Sequence, residues 1–328
     1  MRIRLYDRLD QIANGYRASQ ILFTANRLGL FAALAKEARS AAQLAQALSA
    51  DLRATRILCD ALAALGLLRK RGNAYANSSL ARAFLLPARP RSQNALFLHG
   101  AALYERWGRL YDVVKTGKPV PRQAVDPRLL GDERTFAQAM ASSASLGARE
   151  TAAKLGLAGV RTFLDIGGGP GLYAITFARR NPRLKAVVFD DAPTLEVAQA
   201  NIAKAGLAER IQTQAGDALQ DDLGAGHDLV LLSNVVHSYS AADNQRLVAK
   251  AAQALAPGGR LAVKDFLLAP SRTKPQKASL FAVNMLVSTT GGDCYTAAEI
   301  KQWLRQAGLA VGPVIKLTPP TQIVVGRK

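Results

Sequence analysis

The sequence predicts an α/β chain in two parts. A mainly α-helical winged-helix unit fills residues 1–118, and residues 119–328 form a mostly parallel sheet ending in an antiparallel hairpin. Three observations predict it. From about residue 150 short apolar runs alternate with helical periodicity, the pattern of a parallel sheet covered on both faces. Gly167, Gly168, Gly169 and Gly171 follow the first of those runs, TFLDI. Before residue 90 the pattern is helical up to a short ribbon turning near Gly72 and Asn73.

Taken in order, ASQILFTANRLGLFAALA places its apolar residues at helical spacing, and one helix is expected to run through Gly29. A short helix, a turn at 49–51, a longer helix and the ribbon then complete the layout of a winged helix-turn-helix. A DNA-reading helix needs polar side chains near its N-terminal end. Arg53 and Arg56 are available, but ILCDALAALGLL reads as a helix packed on two sides, which favours dimerisation and a lid over a substrate.

PARPRSQ breaks the pattern before FLHGAALYERWGRLYDVV resumes it. Trp107 and Tyr111 lie four apart, on one face of the expected helix. They are core packing or, on the sharper reading, the wall of an aromatic-substrate pocket. TGKPVPRQAVDPRLLG is the Pro-rich connector taken as the boundary.

After it come the strand TFLDI with the helix LYAITFARR, the strand AVVFDD with TLEVAQANIAKAG, and IQTQA. GHDLVLLSNVV follows with NQRLVAKAAQALA, then RLAVKDFLL. Two short β-like runs flank Pro319 and Pro320 and form the closing hairpin.

Composition narrows the class. The chain of 328 residues is 49% hydrophobic and 20% charged, an ordinary globular balance with no apolar run long enough to span a membrane. No signal peptide is read at the start, and Cys59 and Cys294 lack metal-ligand spacing, so a cytoplasmic protein is expected. Cys59 reads as a small core residue. The net charge is +19; residues 1–100 hold fifteen basic and five acidic groups, +10 of that total. Such a field attracts nucleic acid, anionic lipid or acidic metabolites. No compact basic run focuses it, and nucleic acid is not the expected partner.

In an open α/β sheet the ligand lies outside the carboxyl ends of the strands. Three features sit there: the glycines after Asp165, Asp190 at the end of the next strand, and Asp217 after IQTQA. Glycines admit close backbone approach, Asp190 suits a ribose diol, and Asp217 can accept from an adenine amino group. The pocket is that of an adenosine-bearing cofactor. Gly169-x-Gly171-x-x-Ala174 satisfies the dinucleotide pattern, so the glycines alone leave a nicotinamide cofactor open. Counted from Gly167 the third place is Leu172, and Asp165 would repel a pyrophosphate. S-adenosylmethionine, with a sulfonium, an ammonium and no phosphate, fits better.

LDIGGGPG, VVFDDAP, AGDAL, SNVVHSYS, LAPGGRLAVKDFLL and GGDCYTAAEIKQWLRQAGL, in this order, resemble the class I S-adenosylmethionine-dependent methyltransferases. More narrowly they resemble the family of caffeic acid and hydroxyindole O-methyltransferases and bacterial natural-product relatives. AAQLAQAL to SSLARAFL resembles that family's N-terminal dimerisation domain. The resemblance implies a Rossmann-like class I domain, a homodimer formed through the N-terminal domain, and a small aromatic substrate. It implies cofactor contacts from Gly167, Asp190, Asp217, Ala218 and Met140, and Asp165, Gly169 and Ser233 are expected to join them. It implies that His237 is the general base and that Asp265 orients it. Phe281, Asn284, Met285 and Thr289 occupy the expected substrate stretch, with Trp107 and Tyr111 as the aromatic wall.

The chemistry agrees. A phenol has a pKa of about 10, so ionising it at pH 7 costs about 4 kcal/mol, and the phenolate is the form that attacks a methyl group. A histidine is a suitable proton acceptor, and a carboxylate fixes its tautomer. No metal site is expected, since no ligand cluster has metal spacing. Two positions depart from the family pattern. Ser238 stands where an Asp often follows the histidine, and Cys294 where a Glu often precedes the last helix, with Glu299 expected to cap that helix or face solvent. Both leave the acceptor end less acidic, and C- or N-methylation of a pigment or quinone stays open.

Overall fold

Helix starts in this chain are written by side chains that accept otherwise unpaired backbone N–H groups. Ser40 does so for Gln43, which bonds back to the Ser40 N–H in a capping box. Asp51, Ser78, Asp191, Ser240 and Thr296 start five further helices in the same way. The computed structural model describes the chain except residues 1, 88, 90, 91, 127–139, 141–146 and 319. It divides into two units, Met1–Ala102 and Leu103–Lys328, a division that falls before the boundary expected at 118.

In the first unit α1 (Arg2–Arg27) and α2 (Leu30–Ala33) are separate helices. The expectation of one continuous helix was wrong here: Gly29 adopts φ 72, a left-handed conformation that ends a helix. A two-residue strand β1 (Arg39–Ser40) precedes α3 (Ala41–Ala47) and α4 (Leu52–Ala64). Then β2 (Leu68–Arg71) and β3 (Ala74–Asn77) form the expected ribbon, and β1 adds to β3 to make a three-stranded sheet. α5 (Ser79–Phe84) follows, and α6 (Asn94–Trp107) begins. The α4 helix buries one stripe, Thr55, Cys59 and Leu62, whereas Leu52, Ile57 and Leu65 are exposed. It is therefore packed on one side within the chain, not two. Asp60 on this helix takes hydrogen bonds from Lys70 at 2.6 Å and Tyr75 at 2.7 Å, tying helix to ribbon.

The second unit includes α7 (Leu110–Thr116) and α8 (Ala148–Leu155). Its sheet alternates β4 (Thr162–Ile166), α9 (Leu172–Arg180), β5 (Lys185–Asp190), α10 (Ala192–Lys204) and β6 (Ile211–Ala215). It continues with β7 (His227–Ser233), α11 (Ala241–Gln253), β8 (Leu255–Asp265), α12 (Gln276–Ser288) and α13 (Ala297–Gln306). The short β9 (Ala310–Val311) and β10 (Ile315–Lys316) precede β11 (Gln322–Arg327). Strand order is β10-β11-β8-β7-β4-β5-β6, with β9 also paired to β11. β8, β7, β4, β5 and β6 are parallel, and β11 enters antiparallel as the sequence predicts.

The apolar runs of β4 and β7 are continuous because both faces are covered. Phe163, Leu229 and Leu231 pack on one side with α8, α9 and α10. Leu164, Val230 and Leu232 pack on the other with α11 and α13. The order of strands reverses at β4, so the carboxyl ends of β4, β5 and β7 open on a common crevice. No helix among the described residues is long and apolar enough to cross a membrane.

Candidate active site

A cavity of about 300 Å³ lies at those carboxyl ends. Asp165, the glycine loop 167–169, Tyr173, Asp190, Ser233, Asn234, His237, Ser238 and Tyr239 line it, with Met140 the one described residue of its neighbourhood. The loop requires its glycines. Gly167 sits at φ 64, and a Cβ there would stand 2.6 Å from Val235 Cγ2. A Cβ on Gly168 would stand 2.8 Å from Val188 and 2.9 Å from the Asp165 carboxyl carbon. The loop is fastened to β5: Gly167 N–H donates to Phe189 O at 2.8 Å, and Gly169 N–H to Asp190 Oδ2 at 2.7 Å.

Two carboxyls at this end differ from the surface carboxyls of the chain. Asp165 is 1% exposed and its Oδ2 has no hydrogen-bond partner. Burial, then the neighbouring Asp190, pushes its pKa up to about 8. Burial also raises Asp190, although both its oxygens accept backbone N–H groups, from Gly169 and Asp191. Ser233 Oγ and Asn234 Oδ1 are likewise buried without a partner. Buried polar atoms are almost always satisfied, so three orphans around one cavity call for a polar ligand. A buried acidic end without a phosphate-binding cation in the loop fits the ammonium and sulfonium of S-adenosylmethionine, and the Asp190 oxygens keep lone pairs for a ribose diol.

The other end holds a pair that satisfies itself. His237, 9% exposed, lies in the turn Val236–Ser238 just after β7, and Asp265 closes the adjacent β8. The ring Nδ1 meets Asp265 Oδ1 at 2.8 Å, while Asp265 also accepts from the backbone N–H groups of His237 and Phe266. With Nδ1 engaged, Nε2 is the nitrogen left for chemistry. Asn244 holds this turn by donating to Val236 O and Tyr239 O, and the Tyr295 hydroxyl donates to Tyr239 O at 2.6 Å. Phe281 stands edge-on to the imidazole at 4.9 Å and stacks on Phe266 at 4.2 Å.

The remaining expected residues divide. Asn284 is brought to Trp107, whose indole Nε1–H donates to its Oδ1 at 3.0 Å. Tyr111 is not: α6 ends at Trp107 and α7 begins at Leu110, so the two aromatics share no helical face, and Tyr111 is 75% exposed. Met285 is buried. The Thr289 hydroxyl serves the backbone, donating to Met285 O and accepting from Gly292 N–H. Asp217 is exposed, with Oδ1 accepting from Leu219 N–H, and neither it nor the buried Ala218 lines the cavity. Its charge nevertheless helps, after burial, to raise the Tyr239 pKa at the cavity wall. Burial, then Asp265, pushes the Cys294 thiol up to about 12, so it is neutral. Glu299 caps α13 in a box with Thr296. Among the described residues no cluster of His, Cys, Asp or Glu could hold a metal ion.

Sequence reasoning missed Asn234, Asn244, Phe266, Tyr295 and Lys264. Phe266, next to Asp265, and Lys264, a lysine inside an apolar strand, carried a readable signal; the clamps on the turn did not.

Fold and site together define a class I methyltransferase. The family model of the O-methyltransferase domain matches residues 124–310, and that of the O-methyltransferase dimerisation domain matches residues 10–87. A 3-hydroxy-5-methyl-1-naphthoate 3-O-methyltransferase of Streptomyces sahachiroi is 35% identical over 95% of this chain and 92% of its own. Acetylserotonin O-methyltransferase of Mus musculus is 32% identical over 92% of this chain and 83% of its own. The crystal structure of human N-acetylserotonin methyltransferase in complex with SAM superposes with a TM-score of 0.89 at 28% identity, covering 99% of this chain and 97% of that one. The chain belongs to the O-methyltransferase family, and it is an O-methyltransferase.

Proposed function

We propose that this enzyme methylates a hydroxyl group of an aromatic or polycyclic small molecule, with His237 as general base. The observation that carries the reading is the His237–Asp265 pair, bonded at 2.8 Å on the wall of the acidic cavity and flanked by Phe281 and Phe266. S-adenosylmethionine, held by Asp165, Asp190, Ser233 and the glycine loop, supplies an electrophilic methyl group when bound. Nε2 of His237 accepts the proton of the acceptor hydroxyl, and Asp265 holds Nδ1 protonated and stabilises the imidazolium. The Phe281–Phe266 stack offers a flat apolar surface beside the base, which suits a planar arene. The Streptomyces relative's hydroxynaphthoate points to fused bicyclic hydroxyarenes as the substrate class to try first.

We further propose a homodimer formed through residues of the first unit. Leu5, Leu9, Ile12 and Tyr16, at helical spacing on α1, are all about half exposed or more, and Leu52, Ile57 and Leu65 leave a second apolar face open. The matching dimerisation domain supports this. Both cysteines are free and buried, which suits the cytoplasm.

The test is transfer of labelled methyl from S-adenosylmethionine to hydroxynaphthoates, simple phenols, carbon acids and amines, with the product bond identified by NMR. An O-methyl arene from the wild type is expected, formed far more slowly at neutral pH by His237→Ala. Methylation of carbon or nitrogen alone would contradict the reading.

A further inference from the structure

Lys264 is 3% exposed, on the last turn of the pleat before Asp265. Successive residues of a strand face opposite sides, so while Asp265 turns to His237, Lys264 turns to the α9 side. Its ammonium lies 5.7 Å from the centre of the Tyr173 ring, and Tyr173 walls the cofactor cavity. Among the described residues it meets no carboxylate and donates no hydrogen bond. A buried ammonium without an anion is costly, and a cation over an aromatic ring recovers only a small part of that cost.

The sheet register places this cation relative to the orphan groups. Lys264 is directly opposite Ser233 of β7, and Leu231, two residues earlier on β7, is directly opposite Asp165 of β4. Lys264, Ser233 and Asp165 therefore share one face, at the same end of three adjacent strands. Strand spacing and rise put the Lys264 and Asp165 Cα atoms about 12 Å apart. Side chains of these lengths can close around the ammonium and carboxylate borne on one carbon.

We propose that Lys264 receives the carboxylate of the cofactor's methionyl end, with Asp165 receiving its ammonium and Ser233 standing between them. The proposal rests on S-adenosylmethionine being the cofactor. It answers two observations with one zwitterion: Asp165 Oδ2 has no hydrogen-bond partner, and among the described residues Lys264 meets no carboxylate. It also makes the site selective for an intact amino acid over shorter thioadenosines.

The test is calorimetric binding of S-adenosylhomocysteine, of its decarboxylated analogue S-adenosyl-3-thiopropylamine, and of 5′-methylthioadenosine, to wild type, Lys264→Met and Lys264→Arg. Wild type is expected to prefer S-adenosylhomocysteine over the decarboxylated analogue by about tenfold or more, the worth of a charge-assisted hydrogen bond. Lys264→Met is expected to lose that preference while binding the decarboxylated analogue and methylthioadenosine as wild type does, and Lys264→Arg to retain much of it. Equal weakening for all three ligands would mean a packing role and overturn the proposal, as would unchanged binding of S-adenosylhomocysteine. If Lys264→Met does not fold, the wild-type preference still decides: none would overturn it. Wild type that binds none of the three would overturn the cofactor reading, and this proposal with it.

Discussion

The two ends of the cavity solve opposite problems with the same residue type. Asp165 is buried, has an oxygen with no partner, and is pushed up to about 8 by burial and by Asp190. Asp265 is as deeply buried, yet it accepts from an imidazole and two backbone N–H groups. One end keeps a buried carboxylate oxygen without a partner; the other is internally satisfied and leaves one ring nitrogen unengaged by Asp265. On the proposed reading, the buried carboxylate whose partner is missing is a binding group and the one whose partners are present is a positioning group.

The sharpest break is at the satisfied end. His237→Ala is expected to lower kcat by about 10²- to 10⁴-fold at neutral pH while leaving cofactor affinity unchanged, the range typical of general base catalysis. Turnover and calorimetry on the same preparation separate the two. Asp265→Asn keeps the ring and removes the charge behind it, so a smaller loss in kcat, on the order of 10²-fold, is expected, with the acceptor's KM little changed.

The incomplete end responds in binding instead. Asp165→Asn is expected to weaken S-adenosylmethionine by about tenfold or more, measured by calorimetry, as a charge-assisted contact is lost. The same group sets a pH dependence of stability. Its folded pKa lies above its unfolded value, so between about pH 4 and about 8 the cofactor-free protein retains a proton that the unfolded chain has released. Stability contributed by that proton is present at the acid end of the window and lost as pH rises through it. Chemical denaturation across this window should show a falling contribution that Asp165→Asn removes; a cofactor that pairs the carboxylate should shrink it as well. The smallest effect is expected beside the imidazole: Phe281→Leu gives up an aromatic pair and should raise the acceptor's KM about two- to tenfold with little change in cofactor binding.

The strands, their order of appearance and the glycine loop were legible because each left a local signal: an apolar run, a turn, a helix cap. The pairing of His237 with Asp265 was legible through the resemblance and through two consecutive parallel strands, which commonly lie side by side. What escaped was either set by backbone conformation or by distance along the chain. Helical spacing runs through Gly29, but its φ of 72 divides α1 from α2. Spacing puts Trp107 and Tyr111 on one face, but the helix ends between them. The Trp107–Asn284 bond and the grip of Tyr295 on the turn at Tyr239 join residues 177 and 56 positions apart, for which spacing carries no signal.

The most direct measurement is the pH dependence of single-turnover methyl transfer to a series of hydroxynaphthalenes of graded acidity, in wild type and in His237→Ala. With His237 as base, the wild-type rate should depend weakly on acceptor acidity, whereas the variant's rate should climb with the fraction of acceptor already ionised and approach wild type for the most acidic member. A variant whose rate falls equally for every acceptor and at every pH, or does not fall, would contradict proton acceptance by His237.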